Sequence, residues 1–403
     1  MSQQVATVSH QAPPFWRDLR FLSIAGQVLF VLIVALIAGT LYANVTSGMA
    51  SLGMNAGYGF MGLAAGFEIS QTPIPYNPID SYWRAFQVGV INTILVSLVG
   101  IALATILGIV VGVAQLSTNW LVARLARTYV AIFRNIPLLL QLFFWYFGVF
   151  QQLPVVRESI ALPGAIYLSS RGLAFPWLEP RLIQQPAGEP TSNVMLWLTV
   201  VLASIVVAGA AWYVLKVRQD RTGAQSPRFL IAALIIAASG VLGLMVLQPF
   251  VLTVPEFQRF NFQGGQRISI EYAALLLGLT TYTGAFIAEH VRAGIQGIPK
   301  GQNEAARAVG LKGGQMMRLV ILPQALRIII PPTTNEYLNL TKNSSLAIAI
   351  AYPDLFNVSR TILNQTGQAV SVIGLIMVSY LTISLVTSLL MNLYNRRVRL
   401  VER

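Results

Sequence analysis

Residues 304–323 read EAARAVGLKGGQMMRLVILP, a charged, glycine-punctuated stretch between two strongly apolar segments. It carries Glu304, Arg307, Lys312 and Arg318, so it belongs in water rather than in lipid. The alanine-rich first half, the Gly-Leu-Lys-Gly-Gly break and the apolar second half that ends in proline predict two short helices joined by a turn. Such a hairpin is suited to docking in a groove of a partner protein, and an ordinary cytoplasmic loop fits the same composition.

The composition around this stretch is that of a membrane protein. The chain has 403 residues, of which 55% are hydrophobic and 10% are charged, whereas about a quarter of a soluble domain is charged. It has no cysteine, which excludes disulfides and thiolate metal sites, and its two histidines, His10 and His290, form no metal-ligand motif. No phosphate-binding loop and no catalytic arrangement is present, so we expect neither a cofactor nor an enzyme.

Eight segments are long and apolar enough to cross a bilayer, which takes about 20 residues each. The sequence therefore predicts an all-α polytopic membrane protein. The predicted spans are Phe21–Tyr42, Val88–Leu116, Tyr129–Phe150, Val194–Leu215, Phe229–Val251, Tyr272–Ala288, Ala325–Ala351 and Val372–Leu393.

The basic residues indicate the orientation of these spans. Eight crossings put both termini on one side, and most lysines and arginines outside the spans fall on that side. Basic residues accumulate on the cytoplasmic side of membrane proteins, so we expect both termini to be cytoplasmic. The formal net charge of +13 is then a consequence of orientation, and a nucleic-acid partner is not needed to explain it.

Two long segments are expected on the opposite side. Residues 43–87 are rich in glycine, asparagine and proline and predict at most a partial helix at the membrane interface. Residues 151–193 contain several prolines, which favour irregular structure. Within the second span, Gly108 and Gly112 form a small-residue pair of the kind that allows close contact between helices, although such pairs are frequent by chance.

The seventh span carries the most polar groups, in NEYLNLTKNSSLA at residues 335–347. Asn335, Asn339 and Lys342 share one helical face, and Glu336, Asn339 and Asn343 share an adjacent one. Lys342 would attract the carboxylate of an amino acid, and Glu336 would attract its ammonium group. The alternative is that these side chains form hydrogen bonds between helices or extend to the interface.

Two other spans offer weaker polar signals. Thr281 and Tyr282 in the sixth span are further candidates for lining a solute path, although threonine hydroxyls often bond back to their own helix. Glu289 and Arg292 are spaced to pair on one helical face. Arg134, just before Pro137 in the third span, is most simply an anchor at the inner interface.

The opening stretch resembles the EAA loop of the membrane subunits of bacterial ABC importers. The matching residues are Glu304, Ala305, Ala306, Gly310, Leu322 and Pro323, and Val320 stands where the family has isoleucine. Around it, IPKGQNEAARAVGL, together with FRNIPLLLQLFFWYFG at 133–148 and KNSSLAIAIAYPDLF at 342–356, resembles the polar amino-acid uptake group of these permeases. The chain departs from typical members between residues 150 and 272, where it holds two extra spans. In this it is similar to the larger permease subunit of general L-amino-acid importers.

The resemblance implies a permease that moves L-amino acids across the bacterial cytoplasmic membrane by alternating access. It implies a second, different permease subunit, a pair of ATPase subunits that the EAA residues would contact, and a periplasmic substrate-binding protein. It also implies a MetI-like core of five helices. The expected division is a cytoplasmic N-terminus (1–20), a first span (21–42), a periplasmic segment (43–87), the first part of the core (88–150), an insertion (151–271), the second part of the core (272–394) with the coupling loop at 294–323, and a cytoplasmic tail (395–403).

Two other functions stay open at this point. An ion-coupled secondary transporter would show inverted repeats and carboxylates near the middle of the membrane, whereas no clear repeat is present and the acidic residues lie mainly in the outer segments. A scaffold that transports nothing would not need the polar face of the seventh span.

Overall fold

The computed structural model describes residues 19–51, 57–183, 191–223, 226–259 and 261–398. The predicted N-terminus (1–20) and C-terminal tail (395–403) lie largely outside these ranges. The fold is mostly helical, as predicted. Its helices are α1 (Leu19–Ser51), α2 (Tyr82–Ala114), α3 (Trp120–Asn135), α4 (Leu138–Phe143), α5 (Val194–Thr222), α6 (Arg228–Leu247), α7 (Ile270–Gln296), α8 (Lys300–Ala308), α9 (Gly313–Met316), α10 (Leu322–Asn343), α11 (Leu355–Thr366) and α12 (Ala369–Val398).

The described residues contain fewer clear membrane spans than the eight predicted. Six helices, α1, α2, α5, α6, α7 and α12, are long and apolar enough to cross a bilayer, and a bent pair that begins with α3 would make a seventh. The predicted seventh span corresponds to α10, which contains Pro331 and Pro332 and continues as a 3₁₀-helix over Ser344–Ile350. Its polar residues lower its hydropathy, so the count of eight is not confirmed.

The predicted third span, Tyr129–Phe150, is not one continuous helix. The chain bends by 105° between α3 and the helical segment that begins at Leu138. Ile136 is extended, as the residue before a proline tends to be, and Pro137 donates no backbone hydrogen bond. The buried side chain of Gln141 donates to the carbonyls of Phe133 and Ile136, at 2.9 Å each. The amide therefore satisfies two acceptors that the break would otherwise leave unpaired.

The closest helix pair in the core is α2 with α7, and two glycines make it possible. A Cβ atom at Gly108 would lie 2.5 Å from Cγ2 of Ile287, and one at Gly112 would lie 2.6 Å from Cβ of Val291. Both distances are shorter than real carbon contacts. The small-residue pair at 108 and 112 is thus a point of close approach, which allows α7 to be held at the centre of the core.

We predict that Gly112→Val destabilises the chain by several kcal/mol, because the added side chain meets Val291 and the carbonyl of Ala288. Thermal unfolding in detergent measures the effect. Gly209→Val in α5 is the matched control, since nothing lies within 4 Å of a Cβ at that position. Equal melting temperatures for the two variants would contradict the packing described here.

A buried polar cluster fixes one end of the core. The carboxylate of Asp354 caps α11 through the Asn357 amide, and Tyr380 of α12 donates to its other oxygen at 3.2 Å. Asn92 of α2 donates to the carbonyl of Pro353 at 2.9 Å. Burial raises the pKa of Asp354 to about 6. These bonds tie α2, α11 and α12 together at the same end.

Residues 151–193 were expected to be irregular, but six short strands lie in the described part of this segment, so that expectation is wrong for these residues. Four more described strands follow α6. The strands are β1 (Ile160–Leu162), β2 (Ile166–Ser169), β3 (Gly172–Phe175), β4 (Trp177–Pro180), β5 (Leu182–Ile183), β6 (Thr191–Ser192), β7 (Phe250–Thr253), β8 (Glu256–Gln258), β9 (Asn261–Gln263) and β10 (Gln266–Ile268). They form antiparallel sheets in the orders β1-β2-β3-β10, β4-β7, β5-β6 and β8-β9. Pro163 follows β1 and Pro180 ends β4, and both are poorly buried strands in which a missing donor is tolerated.

Some of these strands connect the part of the insertion before α5 with the part after α6. β10 pairs with β3, and β7 pairs with β4, so the chain leaves the core and returns to it side by side. Between them α5 and α6 pack on each other, and a Cβ at Gly243 of α6 would meet the Trp197 ring of α5 at 2.8 Å. Neither helix makes more than slight contact with the other described helices.

Candidate coupling hairpin and polar translocation face

The EAA residues form a helical hairpin, as predicted. Ala306 is buried in α8, whereas Glu304, Ala305 and Arg307 are exposed. The helix ends in a Schellman motif, in which the Leu311 amide donates to the Ala306 carbonyl at 3.1 Å. The Gly310 amide donates to the Arg307 carbonyl at 2.9 Å. A Schellman motif requires that the residue just after the helix cap has a left-handed backbone conformation.

Gly310 is that residue, with φ of +80°. Nothing in the described chain lies within 4 Å of a Cβ built at this position, so a left-handed backbone rather than close packing explains the glycine. The surface next to it, including Val309, is exposed and apolar. The hairpin tip is therefore available to another protein.

The second arm of the hairpin leads directly into the core. After α9, a π-helix over Met317–Ile321 runs into α10, with Pro323 in its first turn. Leu322 is exposed and the preceding Ile321 is buried. The side-chain amide of Gln324 donates to Gln302 of α8 at 3.1 Å, which links the two arms. The backbone is helical from α9 through the π-helix into α10, and the Gln302–Gln324 bond connects α10 with α8.

The predicted path residues of α10 separate into two groups. Asn335, Asn339 and Lys342 are exposed along one face. Glu336 and Asn343 are half-buried, and Glu336 lies 3.3 Å from Nε2 of His290 on α7. Glu336 therefore contacts a histidine of its own chain, whereas the Lys342 amino group contacts no carboxylate in the described residues.

The two predicted path residues of α7 make local contacts. The Thr281 hydroxyl donates to the Leu277 carbonyl of its own helix at 2.7 Å, and the Tyr282 ring packs on Phe286 with the ring centres 5.0 Å apart. Neither side chain joins the exposed face of α10 through a hydrogen bond in the described structure.

A polar cavity between α3 and α7 was missed by the sequence reasoning. It has a volume of about 670 Å³ and is lined by Gln115, just after α2, and by residues of α3 and α7, including Arg127, Arg134, Phe286, Glu289 and Arg292. The Arg134 guanidinium lies 5.0 Å from the centre of the Phe286 ring, and Arg292 forms an ion pair with Glu289. The ion pair of Glu289 and Arg292 can be predicted from their spacing along one helix. Only the packing of α3 on α7 places the contact of Arg134 with Phe286 beside that ion pair. Guanidinium and carboxylate groups in one cavity are able to bind the two charges of a zwitterion.

Comparison with known proteins agrees with this architecture. Residues 226–400 match the family described as "Binding-protein-dependent transport system inner membrane component". The general L-amino acid transport system permease protein AapQ of Rhizobium johnstonii is 45% identical over 388 residues, which cover 96% of this chain and 94% of AapQ. The putative amino-acid ABC transporter permease protein YhdX of Escherichia coli is 44% identical, with 94% of each chain covered. The glutamate/glutamine/aspartate/asparagine transport system permease protein BztB of Rhodobacter capsulatus is 41% identical, with 96% of each chain covered.

The helices, the hairpin and these similarities define a multi-pass inner-membrane subunit of an ABC transporter. More narrowly, the chain belongs to the family of amino-acid ABC transporter permeases, and its similarity to AapQ, YhdX and BztB extends over nearly its whole length. As a permease of this kind it works in a complex with other subunits.

We predict that Lys342→Met leaves the thermal stability of the isolated chain unchanged, because the exposed amino group makes no ion pair there. In the assembled transporter the same change should lower amino-acid uptake several-fold or weaken assembly, since we expect another subunit to cover the face of Lys342 there. Uptake and subunit stoichiometry are measured side by side. Lys342→Arg, which keeps the charge, is the control, and parental uptake and assembly in the Met variant would contradict a role for Lys342.

Proposed function

We propose that this chain is one of two different permease subunits of an ATP-driven importer of L-amino acids. Its partners are a second permease, a pair of ATPase subunits and a periplasmic substrate-binding protein. The observation that carries the proposal is the exposed hairpin of α8 and α9, which continues into α10. The amino-acid transport named for AapQ, YhdX and BztB supports the substrate class.

The hairpin is the proposed coupling element. Glu304, Ala305 and Gly310 form its exposed contact surface, and Ala306 holds α8 against the chain. Closure of the ATPases displaces α8, and the Gln302–Gln324 bond and the π-helix carry this displacement to α10. The core then alternates between inward-open and outward-open states. ATP shifts this equilibrium only through its different affinity for the two states.

The exposed face of α10 is the proposed wall of the translocation path. Asn335, Asn339 and Lys342 are exposed polar groups on a helix that also carries buried apolar residues, and exposure to lipid would cost roughly 3 kcal/mol for the lysine alone. A second permease subunit that covers this face removes that cost. The Lys342 ammonium then attracts the solute carboxylate or pairs with a group of that subunit.

The proposed topology places both termini and the α8–α9 hairpin in the cytoplasm and the strands of the insertion in the periplasm. The distribution of basic residues supports this orientation. Residues 88–150 and 272–394 form the permease core in this proposal. α5 and α6 lie at its periphery facing lipid, because they are apolar on nearly all faces and pack mainly on each other.

We predict that Gly310→Ala reduces uptake at least about tenfold while ATP hydrolysis continues, because a side chain at a left-handed residue strains the turn by about 1 kcal/mol and alters the contact surface. Uptake and hydrolysis are measured on the same proteoliposomes. The control is Gly301→Ala in the first turn of α8, where φ is not left-handed and the Cβ position is also open. Normal coupling in the Gly310 variant would contradict the assignment.

An ion-coupled transporter or a scaffold would show no dependence on ATPase subunits at all.

Cysteine labelling tests the orientation, since the chain has no cysteine of its own. We expect a cysteine at Ser170, in the turn between β2 and β3, to react with an impermeant maleimide from the periplasmic side. A cysteine at Thr222, at the end of α5, should react only after the membrane is permeabilised. The reverse pattern would overturn the proposed topology.

A further inference from the structure

One end of the α5–α6 helix pair carries a cluster of cationic and aromatic side chains. The ammonium group of Lys216 lies 5.7 Å from the centre of the Trp212 ring, and the guanidinium group of Arg228 lies 5.3 Å from the Trp212 ring. Arg228 also lies 5.6 Å from the centre of the Phe229 ring. Two cations from different helices thus share one indole ring, at distances at which a cation is attracted to an aromatic face.

The positive charge of this cluster is not balanced within the described chain. The segment 216–228 contains four basic residues and one acidic residue. Lys216, Arg218, Arg221 and Arg228 form no ion pair with any described residue. Arg221 lies in the last turn of α5, where the helix dipole alone favours a cation. Lys216 and Arg228 have no such explanation, and they are the two cations that lie over the Trp212 ring.

Hydrogen-bond donors without acceptors lie beside these two cations. The indole nitrogen of Trp212 is buried and has no acceptor in the described structure, although a buried indole N–H usually has one. α6 begins at Arg228, and no described side chain caps its N-terminus, where Pro227 stands. The N-terminus of a helix attracts anions. The two cations, the indole donor and the uncapped helix start therefore fit an anion that has several acceptor oxygens.

The length of α5 indicates the depth of this cluster in the membrane. The helix has 29 residues, about 43 Å at about 1.5 Å per residue, so it extends beyond a hydrocarbon core of about 30 Å. Trp197, near its other end, packs against Phe250 with the ring centres 5.5 Å apart. Trp197 and Trp212 are about 22 Å apart along the axis, and no charged residue lies between them. Tryptophans are enriched at both membrane interfaces, so Trp212 is placed at the level of the lipid headgroups.

We propose that Trp212, Lys216 and Arg228 bind the phosphate group of an anionic phospholipid in the cytoplasmic leaflet. The inference rests on the topology given with the proposed function, in which α5 and α6 face lipid and residues 216–228 face the cytoplasm. The guanidinium and ammonium groups form charge-assisted hydrogen bonds with the phosphate oxygens. The acyl chains lie along exposed apolar side chains of α5 such as Val214. The inserted helix pair thus carries a lipid site outside the permease core.

The test measures lipid adducts of the complete transporter by native mass spectrometry while dioleoyl phosphatidylglycerol is titrated. We expect Lys216→Gln/Arg228→Gln to weaken the tightest binding of this lipid about tenfold or more, because two charge-assisted hydrogen bonds are lost. Trp212→Phe, which keeps a ring but lacks the N–H donor, should weaken it by a smaller factor. Dioleoyl phosphatidylcholine has the same acyl chains and no net charge, and it should bind the parent and the variants equally.

Two further variants control for folding and for general charge effects. Arg218→Gln/Arg221→Gln removes the same charge from the same end of the helix pair but leaves the cations over Trp212 in place, so it should bind phosphatidylglycerol as the parent does. The exchange Lys216→Arg/Arg228→Lys keeps both charges and should also retain binding. Parental melting temperatures in phosphatidylcholine show that the variants are folded. Equal weakening in the two glutamine double variants would overturn the proposal, because the attraction would then be unspecific.

The remaining outcomes separate the lipid from other anions and this proposal from the proposed function. If inorganic phosphate or glycerol 3-phosphate binds the parent as tightly as phosphatidylglycerol does, the site takes a free anion and the lipid proposal is wrong. Unchanged phosphatidylglycerol binding in Lys216→Gln/Arg228→Gln rejects the site. Labelling of a cysteine at Thr222 from the periplasmic side rejects the cytoplasmic leaflet. A complex that binds the lipid but imports no amino acid refutes the proposed function and leaves the lipid site intact.

Discussion

The close approach of α2 and α7 is the contact on which the rest of the core depends. Helices in lipid gain little from burial alone, because acyl chains are as apolar as leucine, so their association relies on tight packing. Gly108 and Gly112 let the backbone of α2 reach Ile287 and Val291. α7 is thereby held between α2, α3 and α10. Both the polar cavity beside α3 and the His290–Glu336 contact to α10 exist only because α7 is fixed at this place.

The irregular backbone of the core lies beside this tightly packed pair of helices. The 105° break after α3, the π-helix before α10 and the 3₁₀-helix after it interrupt regular hydrogen bonding next to the paired helices. π-helical segments often occur at functional sites. Gln141 shows that such a break is stable when a side chain satisfies the free carbonyls. The core thus combines a tightly packed helix pair with three irregular segments next to it.

The sequence was most informative where its signal was local. The hairpin at 304–323 follows from composition, glycine position and proline position, and the structure has the predicted turn at Gly310. The apolar runs predicted the long helices because their signal is also local. The cavity around Arg134 and Glu289 could not be predicted, because it depends on which face of α3 packs on α7. The pairing of β3 with β10 and of β4 with β7 could not be predicted because the partners lie far apart in the chain. The local pairs β1–β2, β2–β3 and β8–β9 were missed because their strands are only three or four residues long. Lys342 is exposed on α10 and forms no ion pair in the described residues, so its role stays a prediction.

The pairing of β3 with β10 has a consequence for how such a chain acquires additional segments. Phe175 lies opposite Gln266, so residues 176–265 form a loop whose ends are clamped together. The entropic cost of closing a loop grows only with the logarithm of its length, by about 0.6 kcal/mol per doubling. Because the β3–β10 pair holds the two ends of the loop together, the residues between them are free to change in number and in sequence with little effect on the core. Shared ancestry of the core is therefore compatible with outer segments of very different size among related permeases.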